Sequence, residues 1–131
     1  MVFTACKKDD VKPAYFINKN KIAEITDKGI TTTLWSDNEI LQSGYNRLYV
    51  SLKDEQGNEI KNATVTYAPV MDMTSMKHGC PAEQPLYNSE LKLYEGAVVF
   101  TMATSEMGVW KLGLSANGVA VSFPLTIDEA P

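Results

Sequence analysis

The sequence predicts an antiparallel β-sandwich of immunoglobulin-like type, on three observations. Apolar residues recur at every second position in one short segment after another, most clearly Leu48, Val50 and Leu52 against Tyr49 and Ser51. Turn residues divide these segments at intervals of about 8 to 12 residues, giving about seven strands. No segment keeps apolar residues at helical spacing over roughly three turns. One inward face per strand suits two packed sheets, with a small barrel as the alternative. At 131 residues, 44% of them hydrophobic, the chain is long enough to bury a core without disulfide staples.

In order, Lys21 to Thr26 and Ile30 to Trp35 flank Asp27-Lys28-Gly29, a tight-turn signal. Tyr45 to Lys53 alternates, and Asp54-Glu55-Gln56-Gly57-Asn58 turns the chain. Glu59 completes a superficial likeness to a calcium loop, but the oxygen-ligand spacing is wrong and a hairpin turn fits better. Ala63, Val65 and Tyr67 alternate in the next strand, which Pro69 is expected to limit. Beyond a methionine-rich stretch and two prolines, Pro81 and Pro85, alternation resumes at Leu91 and Leu93 and leads to Glu95-Gly96. Val98, Phe100 and Met102 are then in phase, so Met102 is expected in the core; Trp110, Leu112 and Leu114 share the next face. Met102 and Met107 bracket the connection before Trp110 and are expected at the same end of the sandwich as the methionine-rich stretch. Asn117-Gly118 is the strongest hairpin signal, and Val119, Val121, Phe123, Leu125 and Ile127 finish the last strand. Trp35 and Trp110 are both expected to pack inward.

The sandwich domain is therefore placed at 19–131, with 1–18 as the remnant of an export signal and a tether. Cys6 follows Phe3-Thr4-Ala5 and precedes Lys7-Lys8-Asp9-Asp10. Small residues before an early cysteine, and a polar acidic stretch after it, resemble the processing site of a bacterial lipoprotein of the Bacteroidetes type. That resemblance implies lipid on Cys6 and attachment to a membrane of the cell envelope, facing the periplasm. Phe3 stands where such signals usually carry Leu. With Cys6 lipidated, Cys80 is a lone thiol in an exported protein. A net charge of −4 argues against a nucleic-acid partner, since phosphate backbones attract basic surfaces.

Chemistry concentrates between residues 71 and 80. Three of the six methionines, the one histidine and one of the two cysteines fall there: Met71, Met73, Met76, His78 and Cys80. Thioether, imidazole and thiolate are the donors that Cu(I) prefers. If residues 70–73 are extended, Met71 and Met73 face the same way, and Gly79 lets the following loop bend back. One histidine is too few for a typical Cu(II) or Zn(II) site. The ordinary reading of the same residues is packing. Methionine fills irregular gaps and contacts aromatic rings, His78 beside Lys77 fits a solvated loop, and Cys80 fits a small buried hydrophobe. No nucleophile elbow, phosphate loop or carboxylate pair is present, so catalysis is not expected.

The order of motifs resembles a known family. Gly44-Tyr45-Asn46-Arg47-Leu48-Tyr49-Val50 is followed by Gly57-Asn58-Glu59-Ile60-Lys61-Asn62-Ala63-Thr64-Val65. The Met/His stretch comes next, then Tyr94-Glu95-Gly96, then Met107-Gly108-Val109-Trp110. From about residue 44 to 127 this is similar to the YtkA-like and FixH-like exported β-sandwich domains, which usually carry Pro where this chain has Asn58. The resemblance implies copper handling outside the cytoplasm, beside oxidase-assembly or efflux components as envelope partners. The alternative is an immunoglobulin-like interaction module that binds a protein or glycan without metal, using the 71–80 segment as an adaptable surface.

Overall fold

The computed structural model describes residues 17–131; the expected lipidation site at Cys6 and most of the tether lie outside them. Eleven strands run through the described residues: β1 (Asn20–Asp27), β2 (Ile30–Ser36), β3 (Leu41–Gln42), β4 (Gly44–Lys53), β5 (Val65–Met73), β6 (Lys77–Gly79), β7 (Ala82–Asn88), β8 (Leu93–Phe100), β9 (Gly108–Ala116), β10 (Val119–Leu125) and β11 (Ile127–Asp128). Nine of them form two antiparallel sheets, ordered β1-β2-β4-β8-β7 and β10-β9-β5-β6. The short β3 and β11 pair in parallel. Among the described residues there is no helix.

Local chemistry sets the hairpins. Lys28-Gly29 joins β1 to β2 with φ of 52° and 79°, and Asn117-Gly118 joins β9 to β10 with φ of 50° and 85°. Positive φ at both central positions is the turn whose twist matches the strands it connects. After β4, the Asp54 carboxylate accepts the N–H groups of Gln56 (3.0 Å) and Asn58 (2.9 Å). That carboxylate holds a turn, as expected.

The sheets close on one core. Leu34, Leu48, Val50, Val98 and Phe100 of the first sheet meet Val65, Tyr67, Met71, Trp110, Leu112 and Phe123 of the second. Each such side chain contributes about 1.5–3 kcal/mol on burial. Phe100 and Trp110 meet edge to face across the interface, with ring centroids 5.2 Å apart.

Four expectations need correction. Pro69 does not limit its strand: β5 runs through it to Met73. Tyr67 sends its N–H and C=O to Gln84, and Met73 sends its N–H to Met76, so residues 67, 69, 71 and 73 direct their polar groups away from β9. The donor that Pro69 lacks therefore falls on the open side of β5, where it costs no bond to β9. The segment holding Pro81 and Pro85 is not irregular, because it contains strand β7, bulged between Glu83 and Leu86. Trp35 lies on the outer face of its sheet, out of phase with buried Leu34, and its indole N–H donates to Ser51 Oγ (2.9 Å). Met102 leaves the core because β8 ends at Phe100; the methionine is 43% exposed.

The bulge in β7 stitches the sheets together. Gln84 Oε1 accepts the Tyr67 N–H (2.6 Å), and its Nε2 donates to the Tyr67 carbonyl (3.2 Å). A side-chain amide thus completes the edge of β5 where β6, paired only at residues 70–72, does not reach. The Tyr67 hydroxyl meanwhile donates to the Leu48 carbonyl (3.1 Å) in the opposite sheet.

Burial pushes the Tyr67 phenol far above the ordinary tyrosine value. An unfolded chain releases that proton near pH 10, roughly the reference value, while the folded chain keeps it. The stability linked to Tyr67 is therefore fully present below about pH 10 and declines as pH rises past it. Tyr67→Phe is expected to cost about 1 kcal/mol at neutral pH and to flatten the alkaline decline in urea-unfolding free energy. Equal alkaline slopes in the two proteins would count against this assignment.

Candidate metal centre on a methionine-rich hairpin

β5 and β6 form a hairpin whose register is Val70 opposite Gly79, Met71 opposite His78 and Asp72 opposite Lys77. The Met73 N–H donates to the Met76 carbonyl (2.8 Å) and closes the turn over Thr74 and Ser75. Directly opposed residues of an antiparallel pair point to the same face, and alternate residues share it. The register thus sets Met71, Met73, Met76 and His78 on one face of the hairpin, that of the buried Met71; Cys80 lies just past the end of β6. Val70, Asp72 and Lys77 fall on the other, where they line a shallow outer trough with Ala68 and Lys111.

Exposure grades across this face. Met71 is fully buried, at 1%, beside its cross-strand neighbour Trp110. Met73 is half-buried against the core, and Met76 and His78 are exposed. Cys80 is half-buried where the chain leaves β6 for the other sheet. Hence Met71 and Met73 come together within the protein, Met76 and His78 extend the same face into solvent, and Cys80 flanks it.

Gly108 makes room for the two inner thioethers. A Cβ there would lie 2.9 Å from Met71 Cε and 3.0 Å from Met73 Cγ. Both side chains therefore fold over the start of β9. The row nearest the hairpin turn reads Gly108, Met73, Met76; the next reads Trp110, Met71, His78.

The donor set is soft: three thioethers, one imidazole and one thiol. Burial pushes the Cys80 thiol up to about 11, so without metal it is protonated at neutral pH and a metal would have to displace its proton. Among the described residues, no three His, Cys, Asp or Glu side chains gather as a harder ion would require. The residues present fit Cu(I) better than zinc or calcium.

Met102 stands apart from this face. Its carbonyl accepts the Trp110 indole N–H (2.8 Å), which fixes loop 101–107 over the end of the sandwich while the thioether stays in solvent. Met107 is the most exposed methionine among the described residues, at 69%, and lines a cleft with Met73. Its proximity to Met73 depends on the pairing of Met73 with Gly108; the sequence indicates the end of the sandwich but not that neighbour.

No protein-family model matches the chain, and no curated protein is significantly similar to it. The likeness to YtkA-like and FixH-like domains thus rests on the motifs described above.

Proposed function

We propose that this chain is a lipid-anchored periplasmic protein that carries Cu(I) on the inward face of the β5–β6 hairpin and passes it to an envelope partner in oxidase assembly or efflux. One observation supports the reading: the register sets Met71, Met73, Met76 and His78 on the same face of one hairpin. Met71, Met73, Met76 and His78 would hold the ion, with Cys80 as a further ligand. Function here is exchange between soft donors, and the exposed Met76 and His78 are where an incoming ligand has access.

The topology supports the resemblance. With β1 set aside, β2-β4-β8-β7 facing β10-β9-β5-β6 corresponds to A-B-E-D facing G-F-C-C′, the strand order of an immunoglobulin-like sandwich. The hairpin is then C–C′, on the open edge of the second sheet.

A competing reading, an envelope module contacting a protein or glycan, is favoured by the complete burial of Met71, the position of a packing residue. Oxygen-free titration against a chromogenic Cu(I) chelator separates the two. Met71→Leu/Met73→Leu/Met76→Leu conserves volume and is expected to lose at least about tenfold in affinity, the lower end of what losing even an outer-shell partner costs. The parent protein is expected to retain Cu(I) at pH 5, since thioethers do not titrate there. Equal affinities for parent and triple variant remove the copper reading and leave the module.

A further inference from the structure

The cleft beyond the hairpin tip, about 310 Å³, is lined by Asp72, Met73 and Thr74 on one side and by Glu106, Met107 and the start of β9 on the other. Met73 leans into this side of the hairpin because Gly108 offers no side chain to stop it. Met107 is held on a tight turn. Its N–H donates to Ser105 Oγ (3.1 Å), and Ser105 and Gly108 exchange main-chain bonds of 3.1 and 3.2 Å. The backbone under Met107 is therefore fixed while its thioether is 69% exposed. Such exposure gains nothing from the hydrophobic effect, and Met107 is not packed against the core. The Glu106 carboxylate also lines this cleft and favours a cation there.

We propose that Met107 is a further thioether ligand, which meets the half-buried Met73 from the loop before β9 and gives the site a second solvent-facing edge, besides Met76 and His78, for taking up and giving away Cu(I). The inference rests on the copper reading above and adds a residue from a separate loop. It also sets a graded path from an inner donor, Met71, beside Trp110, through Met73 to an exposed thioether that a partner's own donors can reach.

The test compares Met107→Leu, Met102→Leu and Met73→Leu in the oxygen-free Cu(I) titration, with X-ray absorption to count sulfur neighbours of the bound ion. Met107 is exposed, so its variant should melt with the parent, and any change in binding is not a folding effect. Met107→Leu is expected to weaken Cu(I) by about tenfold and to remove one sulfur neighbour; Met102→Leu should do neither. Parent-like affinity and sulfur count in Met107→Leu, with Met73→Leu weakened, overturns the inference and leaves the hairpin site standing. Equal weakening by Met102→Leu and Met107→Leu also overturns it, because loose capture by any exposed thioether behaves that way. Parent-like binding in all three variants, together with an unaffected triple variant, overturns the copper reading itself.

Discussion

Gly96→Ala is expected to be among the most damaging single-methyl additions to this protein, costing about 2–4 kcal/mol and lowering the melting temperature by roughly 10 °C. A Cβ at Gly96 would lie 2.5 Å from the Glu83 carbonyl oxygen, 3.0 Å from Tyr67 Cε2 and 3.1 Å from Pro85 Cα. Two of those atoms are backbone, so no rotamer change relieves the clash. β7 would have to lift, and its bulge carries Gln84, whose amide serves both polar groups of Tyr67. Overpacking and loss of that stitch add together. Gly79→Ala is the control: its added Cβ meets only the Pro69 carbonyl at 3.7 Å, an ordinary contact. Thermal and urea unfolding of the two variants check this. A Gly96→Ala protein as stable as Gly79→Ala would show that β7 shifts freely and that the stitch contributes little.

Trp110→Ala is expected to cost about 3–5 kcal/mol, the range for emptying a large aromatic site. That is a large fraction of the total stability of an ordinary domain, about 5–15 kcal/mol. Trp110 is completely buried, packs edge to face with Phe100, and holds the Met102 carbonyl through its indole N–H. Trp110→Phe separates these roles, since it keeps a ring while orphaning the carbonyl, and should cost clearly less than the alanine variant. The change also reaches the candidate metal centre, because Trp110 is the cross-strand neighbour of Met71. Chemical denaturation provides the measurement. Equal losses in the alanine and phenylalanine variants would mean that the hydrogen bond to the loop, and not the packing, dominates.

The hairpin turns were legible because their chemistry is local: Lys28-Gly29 and Asn117-Gly118 adopt positive φ, and glycine accepts that conformation at little cost. Strand β7 was hidden because Pro81 and Pro85 look like breakers; the bulge that accommodates Pro85 is visible only with β8 alongside. Pro69 misled for a related reason, since a proline is harmless or harmful according to which side of its strand is paired. Met102 fits the alternation of β8 but lies past the end of that strand.

By itself the sequence determined that this is an all-β protein with strands of period two, where its tightest turns fall, and that soft donors crowd into residues 71–80. Local backbone preference and residue spacing suffice for those facts. Tertiary structure decided which face of each strand is covered. Alternation names two faces without saying which is inward, so Trp35 stands on the outer face although it is a large aromatic. It also decided that residues 76 and 78 share a face with 71 and 73, and that Met107 lines a cleft with Met73. Both are matters of strand register, fixed by pairing between segments whose separation along the chain carries no record of their proximity.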